Sequence, residues 1–213
     1  MSTVESSLTG PPRGRLDKRR AILDAAGEVF AREGYAQSSV DVIAAEAGVA
    51  KPTIYNHLGG KENLFRAVMI QMAEDVTART LEVLESFPSE PKDLRGELHA
   101  VGHRLVSCLR GDQSCALRRL LDAEVQRFPE LYRTVRVISS DHVIDALAGK
   151  LAVLANAGHL RVDDPSSAAS QFIALISDRL AQLSGLGTQL VEQETVDGIV
   201  AAGVETFLRA FAT

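Results

Sequence analysis

Apolar positions recur with a helical period along most of the chain. Ile22, Ala25, Ala26, Val29 and Phe30 fall at i, i+3, i+4, i+7 and i+8, which is one face of a helix. Asp17 is placed to cap its start and Gly34 to end it as a left-handed C′ residue. In "SSVDVIAAEAGVA", Val40, Ile43, Ala44 and Ala47 form a second, shorter stripe. Ser38, with Asp41 three residues on, resembles an acidic capping box, and Gly48 stops the helix. A third helix runs from Lys51 or Pro52 to about Leu58. Proline is tolerated in a first helical turn because that N–H is unpaired anyway, so Pro52 marks a start and not a break. Gly59 and Gly60 close it, and a fourth helix extends from Lys61 to about Ser86, before Pro88.

The same period continues. Leu94, Leu98, Val101, Leu105 and Leu109 stripe one helix, and Leu117, Leu120, Leu121, Val125 and Phe128 stripe another that stops near Pro129. Ile144, Leu147, Leu151 and Leu154 mark the next, followed by a loop, "NAGHLRVDDP". Phe172, Leu175, Ile176 and Leu183 mark a helix broken by "SGLGTQ", and Val196, Ile199, Val200, Val204 and Phe207 mark the last. No alternating strand pattern and no internal repeat is present. The expected fold is all-α with about nine helices. Its expected organisation is a flexible basic tail over 1–15, a helix-turn-helix domain over 16–62 and a second helical domain over 63–213.

Composition narrows the class. Hydrophobic residues make up 46% and charged residues 24% of 213, the balance of an ordinary globular protein with a real core. No apolar run approaches the ~20 residues that span a bilayer, and "MSTVESSLTGPPRGR" lacks the apolar core of a secretory signal. The expected location is the cytoplasm, with no membrane partner. Cys108 and Cys115, spaced C-x6-C, fit neither a zinc knuckle nor a redox pair and read as buried or idle thiols.

The net charge of −5 argues at first against nucleic acid, but its distribution argues otherwise. Residues 1–70 hold nine Lys/Arg and eight Asp/Glu, so the negative charge lies in the remainder. Within "RGRLDKRR", 13–20, five of eight residues are basic. A basic arm on an acidic body still finds phosphates, because charges beyond a Debye length of ~8 Å are largely screened.

The third helix carries the candidate chemistry. On a helical wheel Ile54 and Leu58 point to the core, beside Val49, while Pro52 and Asn56 point outward and Thr53 and Tyr55 flank them. A reader of the DNA major groove needs this layout, with outward residues on base edges and flanking hydroxyls and cations on phosphates. Asn56 suits adenine, while Pro52 and the Thr53 methyl suit a thymine methyl. With Lys51 beside them as a further hydrogen-bonding group, Tyr55, His57 and Lys61 are candidate phosphate contacts. So are Ser38 and Ser39, with the free N–H groups that start the second helix. Each of these is, taken singly, more often an ordinary surface residue.

The run from Arg19 to Phe65 resembles the DNA-binding domain of the TetR family of bacterial transcriptional regulators. The resemblance rests on Ile22-Leu23-x-Ala25-Ala26, Phe30-x-x-x-Gly34-Tyr35, Ser39-Val40-x-x-Ile43-Ala44, Ala47-Gly48-Val49 and Thr53-Ile54-Tyr55-x-His57-x-x-x-Lys61-Glu62-x-Leu64. Leu58-Gly59-Gly60 departs from the family, which more often has Phe and at most one glycine there. The resemblance implies a homodimer, a palindromic operator and a C-terminal domain that binds a small-molecule effector. It also implies a four-helix bundle made by the last two helices of each subunit, for which Phe172, Ile176, Leu183, Val200 and Phe207 are the candidate seam.

A ligand-responsive repressor of this kind, nucleoid-associated in the cytoplasm, is the expected function. Two alternatives stand beside it, an effector-independent chromosome-organising protein of the same fold and, last, an enzyme. For the enzyme there is no G-x-S-x-G, H-E-x-x-H, P-loop or dinucleotide fingerprint, and no cofactor is expected. His99 and His103 stand at i, i+4 without a carboxylate motif, so no metal site is expected. With no Trp and 5% aromatic residues, an aliphatic effector pocket is easier to build than an aromatic one.

Overall fold

A computed structural model describes residues 13–213, with side chains from Lys18 onward. Residues 1–12 of the expected tail lie outside the described residues. Arg13 to Arg15, expected in that tail, instead form the first turn of α1 (Arg13–Gln37), so Asp17 lies inside the helix and not at its cap. The other helices are α2 (Val40–Glu46), α3 (Lys51–Leu58), α4 (Lys61–Glu85), α5 (Leu94–Arg110) and α6 (Asp112–Ala123). They are followed by α7 (Pro129–Arg136), α8 (His142–Asn156), α9 (Pro165–Ser184) and α10 (Gln193–Phe211). A π turn, Val137–Asp141, fuses α7 and α8 into one rod, so the described residues form nine rods and no strand. The all-α expectation therefore holds.

The chain divides into two compact units that meet at Val68 and Met69. The division falls six residues beyond the expected 62/63 boundary. The reason is packing: Leu64, Phe65 and Val68, in the opening turns of α4, are buried in the first unit. Phe65 meets Phe30 edge-on at 5.1 Å and Tyr35 at 4.8 Å between centroids, the tilted geometries that aromatic quadrupoles favour. Tyr35 can turn inward because Gly34 breaks the helix with φ 73 and ψ 170. The sign of φ agrees with the expected C′ residue; the ψ does not, since it lies far from the left-handed helical value of about 47°, and the kink falls inside α1.

The second unit has its own core. Leu98, Val101 and Leu105 of α5, Leu147, Leu151 and Leu154 of α8, Phe172 and Ile176 of α9, and Val200, Val204 and Phe207 of α10 are all sealed from solvent. Four of the five expected seam residues, Phe172, Ile176, Val200 and Phe207, are thus internal; Phe172 and Phe207 stack edge-on at 5.0 Å. Of the five, Leu183 alone is exposed, and Leu175 of the same helix joins it at the surface. The stripe is apolar as expected, but the subunit's own helices cover most of it.

Close approach inside this unit depends on small residues. A Cβ added at Gly203 of α10 would lie 2.7 Å from the Leu175 carbonyl oxygen, and one at Gly102 of α5 would lie 3.2 Å from Val200. Across the α5–α10 contact, Arg95 and His99 reach Glu205, and His103 lies 3.6 Å from Asp197. The Arg95 guanidinium first, then His99, hold the Glu205 carboxyl below its ordinary range. Both histidines therefore face single carboxylates, and no group of three or more metal-ligating side chains occurs among the described residues. The π turn opens the backbone at Ile138, whose carbonyl accepts from the Thr77 hydroxyl at 3.1 Å. No described helix is long and apolar enough to cross a membrane.

Gly203→Ala forces Leu175 and α10 apart and destabilises the protein by about 1–3 kcal/mol in chemical denaturation. Gly149→Ala on α8, where the added methyl meets nothing within 4 Å, is neutral or stabilising by up to ~1 kcal/mol. Equal effects at the two sites would contradict the packing described.

Candidate nucleic-acid interface

Eight residues are too few for a helix to persist alone in water, so α3 exists because the rest of the head holds one face of it. Ile54 supplies that hold and is wholly buried; Leu58 and Val49 are half-buried. The helix starts from Ala50 without a side-chain cap and carries Pro52 in its first turn. It ends on Gly59, left-handed at φ 72, whose N–H donates to the Tyr55 carbonyl at 2.8 Å. Gly60 follows at φ 126, buried beside the Tyr55 ring. Both members of the unusual glycine pair are therefore used in backbone conformations that other residues resist.

The opposite face of α3 is open. Lys51, Pro52, Tyr55 and Asn56 are exposed, Tyr55 at 48%, while Thr53 and His57 flank them half-buried. His57 stands in the last turn of the helix. Six of the expected contact residues thus share one surface.

The remaining three differ in their surroundings. Ser39, not Ser38, caps α2, its Oγ accepting from the Asp41 N–H at 3.2 Å. Ser38 is buried at 5% and donates its hydroxyl to the Tyr35 carbonyl at 2.8 Å, so it secures the turn and is not available at the surface. Lys61 is half-buried, with its ammonium over the Tyr35 ring at 4.8 Å and donating to the Ala36 carbonyl at 3.3 Å.

Three ion pairs, made by Lys51 and Arg32, set the local electrostatics. Lys51 donates to Asp41 at 3.0 Å, and the hydrogen bond to that carboxylate raises the Lys51 pKa above its ordinary value. Arg32 joins α1 to α2 through Glu46 at 2.7 Å and also meets Glu33. The sequence pattern marks Asp41 only as part of a cap. Its pairing with Lys51, ten residues away across a turn, has no signal in helical periodicity.

Known proteins resemble this chain in sequence and fold. Residues 22–68 match the family model described as bacterial regulatory proteins, tetR family. Residues 96–213, more than half of the chain, match the C-terminal domain of AefR-like transcriptional repressors. The chain belongs to the TetR family.

Among solved structures, a TetR-family transcriptional regulator from Mesorhizobium loti is 28% identical. It aligns over 95% of this chain and 100% of its own with a TM-score of 0.87. The flavonoid-responsive regulator FrrA is also 28% identical, over 92% of this chain and 97% of its own, with a TM-score of 0.72. The transcriptional activator FasR of Mycolicibacterium smegmatis is 33% identical over 40% of this chain and 39% of its own length. The chain spans half or less of the length of the curated relatives it matches. The matched families and these relatives are described as regulators and not as enzymes.

Asp41→Asn removes the partner that raises the Lys51 pKa, so that pKa falls toward the ordinary lysine value. Titration of the Lys51 Cε resonance by NMR reports it; an unchanged pKa would contradict the pair.

Proposed function

We propose that this TetR-family protein is a ligand-responsive repressor in the cytoplasm. In this proposal it binds a palindromic operator as a homodimer and leaves it when a small-molecule effector binds. The observation that carries the DNA-binding half is the exposed polar face of α3 over a buried Ile54. Asn56 and Pro52 meet base edges, and Lys51, Tyr55, Thr53, His57 and Ser39 grip phosphates. Lys61, drawn over Tyr35, contributes charge near the end of α3. The basic residues of 13–20 add sequence-independent attraction.

The regulatory half rests on the match to AefR-like repressors and on the responsiveness that FrrA's name records for that protein. FasR's description as an activator supports a second reading of the sign, in which the same parts recruit rather than block transcription. Leu175 and Leu183, exposed on α9 while Phe172, Ile176 and Leu180 of that helix are internal, are the proposed centre of the dimer seam. An effector that reverses operator occupancy from 99:1 to 1:99 must prefer the released state by about 5.5 kcal/mol.

Selection of bound sequences from random duplex DNA tests function and symmetry together. The expected outcome is an inverted repeat with half-site centres one turn, about 34–36 Å, or a multiple of it apart. An asymmetric motif would remove the dimer, and no enrichment at low salt would remove DNA binding. On the selected duplex, Asn56→Ala costs about 1–3 kcal/mol and relaxes preference at one position of each half-site. Lys51→Ala weakens all duplexes alike and lowers the salt slope by about one for each phosphate that the lysine had neutralised.

A further inference from the structure

Three guanidiniums gather where α5, α6 and the α9–α10 loop meet, and none forms an ion pair among the described residues. Arg118 donates to the Leu109 carbonyl at 2.5 Å and lies 3.7 Å from the Cys115 sulfur. Arg119 donates to the Leu186 carbonyl at 2.5 Å, and Arg110 to the Val191 carbonyl at 3.2 Å. All three are half-buried. Among the described residues, Arg118 Nε is the only side-chain nitrogen or oxygen that is sealed from solvent without a hydrogen-bond partner. A buried donor on a cation is the kind of group that native structures leave unpaired only for a reason, because its desolvation is uncompensated.

Arg118 and Arg110 wall a cleft with Val106 and Leu109 of α5 and Leu180 and Ala181 of α9, about 10 Å³ in volume. That is room for one oxygen-sized group. Ser177 and Ser184 also line it, but each turns its hydroxyl hydrogen to a carbonyl of its own helix. Val106 and Arg110 are shared with a second, open groove of about 340 Å³ between α5 and the start of α10, completed by His103, Ser107, Gln193 and Val196. That volume is at the lower end of those that hold small organic molecules.

We infer that this groove and cleft form the effector site and that the effector is a small organic carboxylate. One carboxylate oxygen enters the cleft once Arg118 turns its Nε–H toward it, and Arg110 supplies the second cation. The body of the molecule lies along the groove, with His103, Ser107 and Gln193 as hydrogen-bonding neighbours. A guanidinium suits this task because it presents several donors in a fixed plane and stays charged when desolvated. Arg110 is also bonded to Val191, the residue before the cap of α10, so a ligand that recruits Arg110 acts on the start of that helix. The inference deepens the effector-released regulator proposed above and rests on that reading for its biological meaning, but its binding step is tested apart from DNA.

The test uses the intact protein with straight-chain C4–C8 carboxylates and, at each length, the neutral primary amide of the same shape. Isothermal titration and thermal melting are expected to detect at least one carboxylate and to give the matching amide at least about tenfold weaker affinity. Arg118→Met, which keeps the stem and removes the donors, abolishes the preference; Arg209→Met, an exposed arginine on α10, retains it. Carboxylates and amides that bind alike, or carboxylates that do not bind at all, overturn the inference on the wild-type protein alone. So does a carboxylate preference that survives in a folded Arg118→Met. Operator binding is followed in the same samples. Carboxylate binding with the operator retained leaves the site standing and refutes effector release, whereas release by a neutral compound in a protein blind to carboxylates does the reverse.

Discussion

An eight-residue helix cannot hold its shape unaided, and this constraint governs the DNA-facing half of the protein. α3 persists because Ile54 is wholly buried in the head, with a proline to start the helix and a left-handed glycine to stop it. The same burial decides what is left outside. Once Ile54 points inward, Pro52 and Asn56 point outward, and the flanking hydroxyls and cations follow from the helical repeat. The proposed interaction surface is therefore a consequence of packing, with little freedom to be anywhere else. Phe30, Tyr35 and Phe65 reinforce the head by tying the start of α4 to α1, which is why the compact unit extends to Val68.

The second unit obeys a different constraint. Its helices pack closely because α10 offers glycine at the α9 contact and α5 offers glycine at the α10 contact, each where a methyl group would collide with a neighbour. Charged groups are kept to the edges of these contacts, as in the Arg95, His99 and Glu205 cluster. The guanidiniums beside α6 break that pattern, since they are half-buried and bonded only to carbonyls and a thiol. A proposed ligand carboxylate would complete the charge balance there.

Much of this is legible in the chain. Periodicity locates all the long helices, and the outward placement of Tyr55 and Asn56 follows from the position of Ile54 on the same short helix. What periodicity does not encode is which neighbour covers an apolar stripe. Phe172, Ile176, Val200 and Phe207 are apolar in the expected register, yet they are covered by their own chain. The break after α6 is hidden for a related reason. Val125 and Phe128 continue an apolar spacing although the helix has ended, and α7, with Leu131 and Val135 buried, starts at the proline that the pattern marks as a stop. Ser38 and Ser39 are indistinguishable as caps in the sequence, because a one-residue shift in the turn decides which hydroxyl meets the free N–H. The pairing of Lys51 with Asp41 and the placing of Lys61 over Tyr35 depend on turns and tertiary approach, which no spacing rule reports.

The central claim is that α3 presents its polar side to duplex DNA while its apolar side stays locked in the head. Hydrogen exchange, measured by mass spectrometry with and without the selected duplex, tests it directly. Peptides covering Lys51–Leu58 and the turn before them gain protection when duplex is present, and the core of the second unit stays unchanged. Protection confined to the second unit, with α3 exchanging as fast as in the free protein, would contradict the claim.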